Sequence, residues 1–123
     1  MSTLKLDTIA SRDGTESTDV TNVINGSAKA WVNLNGTGTV AIRASFNVSS
    51  ITDGGTGIYT INFTNSFADA DYCLVATGNR NSGEMPVVYG RNAQATGSAT
   101  VKCGYAWSVV YIDPEYVNVA VFR

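Results

Sequence analysis

The sequence predicts an all-β protein: an antiparallel β-sandwich of seven to eight strands, jelly-roll-like, preceded by an extended N-terminal arm. Three observations point there. Apolar residues make up 44% of the 123 residues and charged residues only 15%, where about a quarter is usual in globular chains. Thr, Ser, Asn and Gly replace the missing charge; they compete with helical hydrogen bonds or cost about 1 kcal/mol at an interior helix site. From Ala28 onward, short segments of alternating apolar and polar residues recur between Gly, Asn and Asp, the period of half-buried strands.

The elements follow in order. Residues 1–27 form the arm: Leu4, Leu6 and Ile9 alternate weakly, and a polar stretch to Ser27 carries Asp13-Gly14 and Asn25-Gly26 as turn signals. This segment has too little apolar surface to fold alone, so it is expected to be either disordered or ordered by lying on another subunit or another protein. Residues 28–123 form the sandwich. Ala28–Asn33 sets Ala28, Ala30 and Val32 on one face and Lys29, Trp31 and Asn33 on the other. Asn35-Gly36-Thr37-Gly38 suits a hairpin loop, where positive φ is needed, and the next run places Val40, Ile42, Ala44 and Phe46 inward. Val48–Thr52 and Gly57–Phe63 follow, with Tyr59, Ile61 and Phe63 in phase. Tyr72–Thr77 is apolar on both faces and reads as central; Val87–Tyr89 is short. Thr100–Val110 alternates throughout, with Val101, Cys103, Tyr105, Trp107 and Val109 on one side, and Val117–Arg123 sets Val117, Val119 and Val121 inward. No helix is predicted beyond a single turn over Asn65–Asp71. So many short strands require two packed sheets, whose edges oligomerisation can cover.

Composition also excludes function classes. A net charge of −2, a pI near 4.8 and scattered basic residues argue against nucleic-acid binding, which needs clustered Lys and Arg. No 18-residue apolar run marks a membrane span, and the first thirty residues hold no secretion-type apolar core, so synthesis in a cytoplasm is expected. The chain contains no histidine. That removes His-based triads, His-ligated zinc and the commonest general base, so no catalytic residue, metal or cofactor is expected. Asp69 and Asp71, with Glu84 and Glu115 in loops, are read as turn residues ahead of a carboxylate pair or a calcium site. Gly36-Thr37-Gly38 and Gly54-Gly55-Thr56-Gly57 precede no helix and are turns, not phosphate cradles. Cys73 and Cys103 fall in different strands; they are read as buried free thiols, with a disulfide open only if those strands are neighbours.

The aromatic residues are the candidate contacts. Trp31 lies on the nominally polar face of its strand, which marks it for cover by another subunit. Tyr105, Trp107, Tyr111 and Tyr116 crowd the segment around Asp113-Pro114-Glu115. Tyr105 and Trp107 are read as core, whereas Tyr111 and Tyr116 flank a proline loop suited to a contact surface. Leu4, Leu6 and Ile9 are the arm's own candidates.

The stretch Lys29–Asp53 (KAWVNLNGTGTVAIRASFNVSSITD), followed by Gly55–Phe63 (GTGIYTINF), resembles a module of bacteriophage tail-fibre and virion structural proteins, common in phages of cyanobacteria. The opening MSTLKLDTI resembles the start of many such proteins. The resemblance implies a non-enzymatic, trimeric β component of a particle surface. In this form the arm docks onto capsid or tail proteins, and the role is host attachment as a tail fibre or capsid decoration as a cement protein. The alternative is a carbohydrate-binding sandwich recognising host surface glycans through its aromatic cluster.

Overall fold

The structure is a computed structural model, and it describes residues 1–80, 87–90, 93–106, 108 and 110–123, with Val87, Tyr89 and Gly90 described by backbone alone. The arm comprises β1 (Thr8–Ala10), β2 (Ser17–Asp19) and α1 (Val20–Gly26). β1 and β2 pair antiparallel, with Ile9 opposite Thr18. Asp13 organises the turn between them: its Oδ1 accepts from Ser11 Oγ at 2.7 Å, Thr15 Oγ1 at 2.8 Å and Thr15 N at 3.1 Å. These bonds hold the carboxyl low, at about 2.

The arm is therefore not extended throughout. A hairpin and a seven-residue helix stand where the sequence led us to expect neither. Val20, Val23 and Ile24 give that helix an apolar stripe at i, i+3 and i+4, yet it buries no residue.

The sandwich follows: β3 (Ala28–Asn35), β4 (Ala41–Phe46), β5 (Val48–Asp53), β6 (Ile58–Phe63), β7 (Cys73–Asn79), β8 (Val87–Gly90), β9 (Ser98–Gly104) and β10 (Tyr116–Phe122). One antiparallel sheet has the order β4-β3-β10-β7 and the other β5-β6-β9-β8. The all-β sandwich is the class the sequence predicts. Three of its hairpins (β3-β4, β5-β6, β8-β9) stay within a sheet, and the other connections cross between sheets. The core forms where the inward phases meet: Ala30, Val32, Leu34, Val117, Val119 and Val121 from one sheet, Tyr59, Ile61, Phe63, Ala99, Val101 and Cys103 from the other. Phe63 also meets Phe67 and Tyr72 edge-on, at ring-centroid distances of 4.8 and 5.9 Å.

Four local expectations need correction. β4 is an exposed edge strand, and a bulge between Asn33 and Leu34 changes its phase. Ile42 pairs with inward Leu34, but Ala44 and Phe46 pair with Asn33 and Trp31 on the outer face; only Val40 packs on the core as expected. β7 lies at a sheet edge beside β10, not at the centre. β9 stops at Gly104, and the chain turns back so that Tyr105 N meets Val110 O at 3.3 Å; Trp107 and Val109 lie outside the described residues. Asn65–Asp71 forms bends without a helical turn.

Candidate functional site

The two outer faces of the sandwich differ in chemistry. On the β5-β6-β9-β8 sheet the outward phase carries Ser50, Thr52, Thr60, Asn62, Thr100 and Lys102. Their side chains bond across the strands: Asn62 Nδ2 donates to Ser50 Oγ and Thr52 Oγ1, both at 3.0 Å, and the Thr60 and Thr100 hydroxyls meet at 2.8 Å. Such polar residues are usual on the outer face of an antiparallel sheet, although Thr100 is buried here.

The β4-β3-β10-β7 sheet does the opposite. Its register aligns Phe46, Trp31, Ala120 and Val75 in one row across all four strands. Phe46, Trp31 and Val75 are all exposed. The next row is Ala44, Asn33, Asn118 and Thr77. There Asn33 Nδ2 donates to Asn118 Oδ1, and Asn118 Nδ2 donates to Thr77 Oγ1 at 3.4 Å. A shallow groove of about 400 Å³ runs along these rows between Trp31 and Val75, with Asn33, Asn118, Thr77 and Ala120 on its walls and no charged side chain. The row departs from the polar outward phase that a solvated sheet face carries.

Tyr116 stands on the same face, at the start of β10. The Arg43 guanidinium lies 4.1 Å from its ring centroid and donates to Leu34 O at 3.0 Å and Glu115 O at 2.7 Å. Of the residues marked from the sequence, the fold thus brings Trp31 and Tyr116 onto one face. Tyr111 goes elsewhere: it covers the other sheet, accepting from Lys102 Nζ at 2.8 Å with that ammonium 4.8 Å from its ring centroid. Leu4, Leu6 and Ile9 are exposed on the arm. Phe46, Val75 and the amide row were missed, because the β4 bulge and the pairing of β7 on β10 are not written in local periodicity.

The Asp113-Pro114-Glu115 segment, expected as a contact loop, closes one end of the core instead. Ile112 and Pro114 are buried. Asp113 Oδ1 accepts from Gly57 N at 2.6 Å and from Tyr59 Oη at 2.9 Å, and Tyr59 Oη also reaches Gly36 O at 3.2 Å. Burial, reinforced by Asp113, raises the Tyr59 hydroxyl well above the usual tyrosine range. Gly36 is needed here for close approach: a Cβ would fall 2.4 Å from Tyr59 Oη. Positive φ in that loop belongs to Gly38.

Asp69 holds Arg123 through both carboxylate oxygens, at 3.0 and 2.5 Å, and also accepts from Asp71 N at 2.9 Å. The Arg123 hydrogen bonds hold the Asp69 carboxyl below the ordinary range. No disulfide joins the cysteines, which lie in different sheets. Cys103 is buried, and desolvation pushes its thiol up to about 12, whereas Cys73 is exposed on the outer face of β7, a correction to the expected buried pair. Among the described residues no three His, Cys, Asp or Glu side chains gather to hold a metal, and Glu84 lies outside them. No protein-family model matches the chain, and no curated protein or solved structure matches it either.

Proposed function

We propose that this chain is a non-enzymatic structural protein of a bacteriophage particle surface, assembling as a trimer and attaching to capsid or tail proteins through residues 1–27. The supporting observation is the contrast between its outer faces: one is laced with Ser, Thr and Asn, while the other presents Phe46, Trp31 and Val75 to solvent. A surface of that kind fits a protein whose work is contact. The arm supports the same reading, since Leu4, Leu6, Ile9, Val23 and Ile24 are exposed.

Quantitative mass spectrometry of purified virions tests the proposal. Detection at capsid-like stoichiometry supports a decorating cement protein, and detection at tail-like stoichiometry supports a fibre or appendage. Absence from particles refutes both.

A carbohydrate-binding sandwich is the second reading, favoured by an uncharged groove that offers the Trp31 ring beside the Asn33, Asn118 and Thr77 side chains. It requires glycan-array binding that is lost in Trp31→Ala; a blank array counts against it.

A further inference from the structure

We infer that the occupant of the apolar outer face is another copy of this chain, and that α1 and this face act together as one copy-to-copy interface. The inference rests on the assembly reading above and names its partner and its surface.

Three arguments lead there. The first is continuity. α1 runs into β3 with only Ser27 between them, and the Lys29 ammonium, two residues before Trp31, donates back to Ile24 O. The helix stripe of Val20, Val23 and Ile24 is thus tied to the end of the strand that carries Trp31. A helix of seven residues is marginal alone. With no residue of its own buried, it needs apolar cover from outside the chain.

The second argument is area. Trp31, Phe46 and Tyr116 are 41, 54 and 40% exposed, and Val75, Val23 and Ile24 are 51, 40 and 54% exposed. With roughly 200 Å² for an aromatic residue and about 100 Å² of apolar area for Val or Ile, these six offer roughly 400 Å² of apolar surface. About six-tenths of such interfaces is apolar, so this corresponds to roughly 700 Å² per partner, near the ~800 Å² of a stable protein pair. A sugar would cover only a fraction of it.

The third argument is charge. The two rows hold no ionised group. The two cations at their margin are engaged within the chain, Lys29 with Ile24 O and Arg43 with the Tyr116 ring and two carbonyls. A second copy can therefore cover this face without an unpaired charge being buried.

The fold supplies its own reporter. Cys73 lies on this face, in register with Phe122, while Cys103 is sealed in the core. Sedimentation velocity of the full chain, paired with iodoacetamide labelling, tests the inference. Wild type is expected to sediment as an oligomer with Cys73 protected. Phe46→Ser and Val23→Asp should each weaken self-association at least tenfold and speed Cys73 labelling, with Cys103 unreactive throughout. Thr52→Ala on the polar face should change neither reading.

Thermal melts establish that each variant is folded. Since Phe46 and Val23 are exposed, a folded variant with unchanged mass overturns the inference. So does a monomeric wild type, or a monomer that binds a glycan array through Trp31. A chain found on virions but monomeric in solution sinks this inference and the trimer, and leaves the particle reading standing. One that self-assembles yet is absent from particles sinks the particle reading alone.

Discussion

Replacing Asp113 by alanine is expected to lower the unfolding free energy by about 3 kcal/mol, although the residue sits in a loop. The magnitude follows from what its carboxylate holds. One oxygen, Oδ1, accepts from Gly57 N at 2.6 Å and from Tyr59 Oη at 2.9 Å. Hydrogen bonds to a charged acceptor are worth roughly 1.5–3 kcal/mol each, but two bonds sharing one oxygen will not contribute in full. Tyr59 keeps a second acceptor in Gly36 O at 3.2 Å. Gly57 N has no such reserve: among the described residues it donates to this carboxylate and to no backbone oxygen. The loss is therefore dominated by one orphaned amide and one weakened phenol.

For 123 residues, an unfolding entropy of about 2.1 cal/mol/K per residue converts about 3 kcal/mol into a fall in Tm of roughly 12 °C. Calorimetry and guanidinium titration of wild type, Asp113→Ala, Tyr59→Phe and the double variant provide the assay. The double-mutant cycle should show coupling of about 1 kcal/mol, since either change alone breaks the same bond. If Asp113→Ala falls within about 0.5 kcal/mol of wild type, as surface substitutions do, the loop does not close the core in the way described.

Two further perturbations probe the same end of the sandwich. Gly57 and Gly55 both have positive φ, 65° and 99°, but a Cβ on Gly57 would lie 2.4 Å from Cys103 O, whereas one on Gly55 meets open space. Gly57→Ala should therefore cost at least about 3 kcal/mol and Gly55→Ala about 1–2 kcal/mol by chemical denaturation; equal costs would refute the close packing. Cys103 carries a pH signature. Its thiol is raised from 9.0 to about 12 on folding, first by burial and then by Asp113. Its contribution is complete below pH 9 and drains as pH rises towards 12, because only the unfolded thiol releases its proton. The slope approaches about 1.4 kcal/mol per pH unit. Between pH 8.5 and 10.5, wild type should lose about 2 kcal/mol more stability than Cys103→Ala; parallel losses would show that Cys103 is not sealed.

Much of the core was legible because strands with one buried face leave a period of two. Ala30 and Val32 of β3, Tyr59, Ile61 and Phe63 of β6, Val101 and Cys103 of β9 and Val117, Val119 and Val121 of β10 are inward as read from alternation. What failed had non-local causes. Ile42, Ala44 and Phe46 alternate perfectly in sequence, but the bulge opposite Asn33 and Leu34 adds a residue and turns Ala44 and Phe46 outward. β7 looked central because Leu74 and Val75 are both apolar. In the fold Leu74 packs on the core and Val75 joins the exposed row. The role of Asp113 had no local signal, because its partners, Gly57 and Tyr59, are more than fifty residues away. Helix α1 escaped notice because seven residues give barely two turns of periodicity.

The site itself was half legible, and the half that was missing changes its meaning. Trp31 out of phase in a polar register was visible as a single anomaly, and a lone exposed aromatic needs no partner. Tertiary pairing turns the anomaly into a row. β10 places Ala120 beside Trp31, β4 places Phe46 on its other flank, and β7 extends the row to Val75. Four strands thus align apolar residues at one level of the same face, whereas the described outward positions of the opposite sheet are mostly Ser, Thr and Asn, with Ile58 and Lys102 beside them. Loose constraint on solvent-facing residues would leave both faces alike. The asymmetry is what the proposed copy-to-copy contact accounts for, on the sheet from whose strand β3 helix α1 departs.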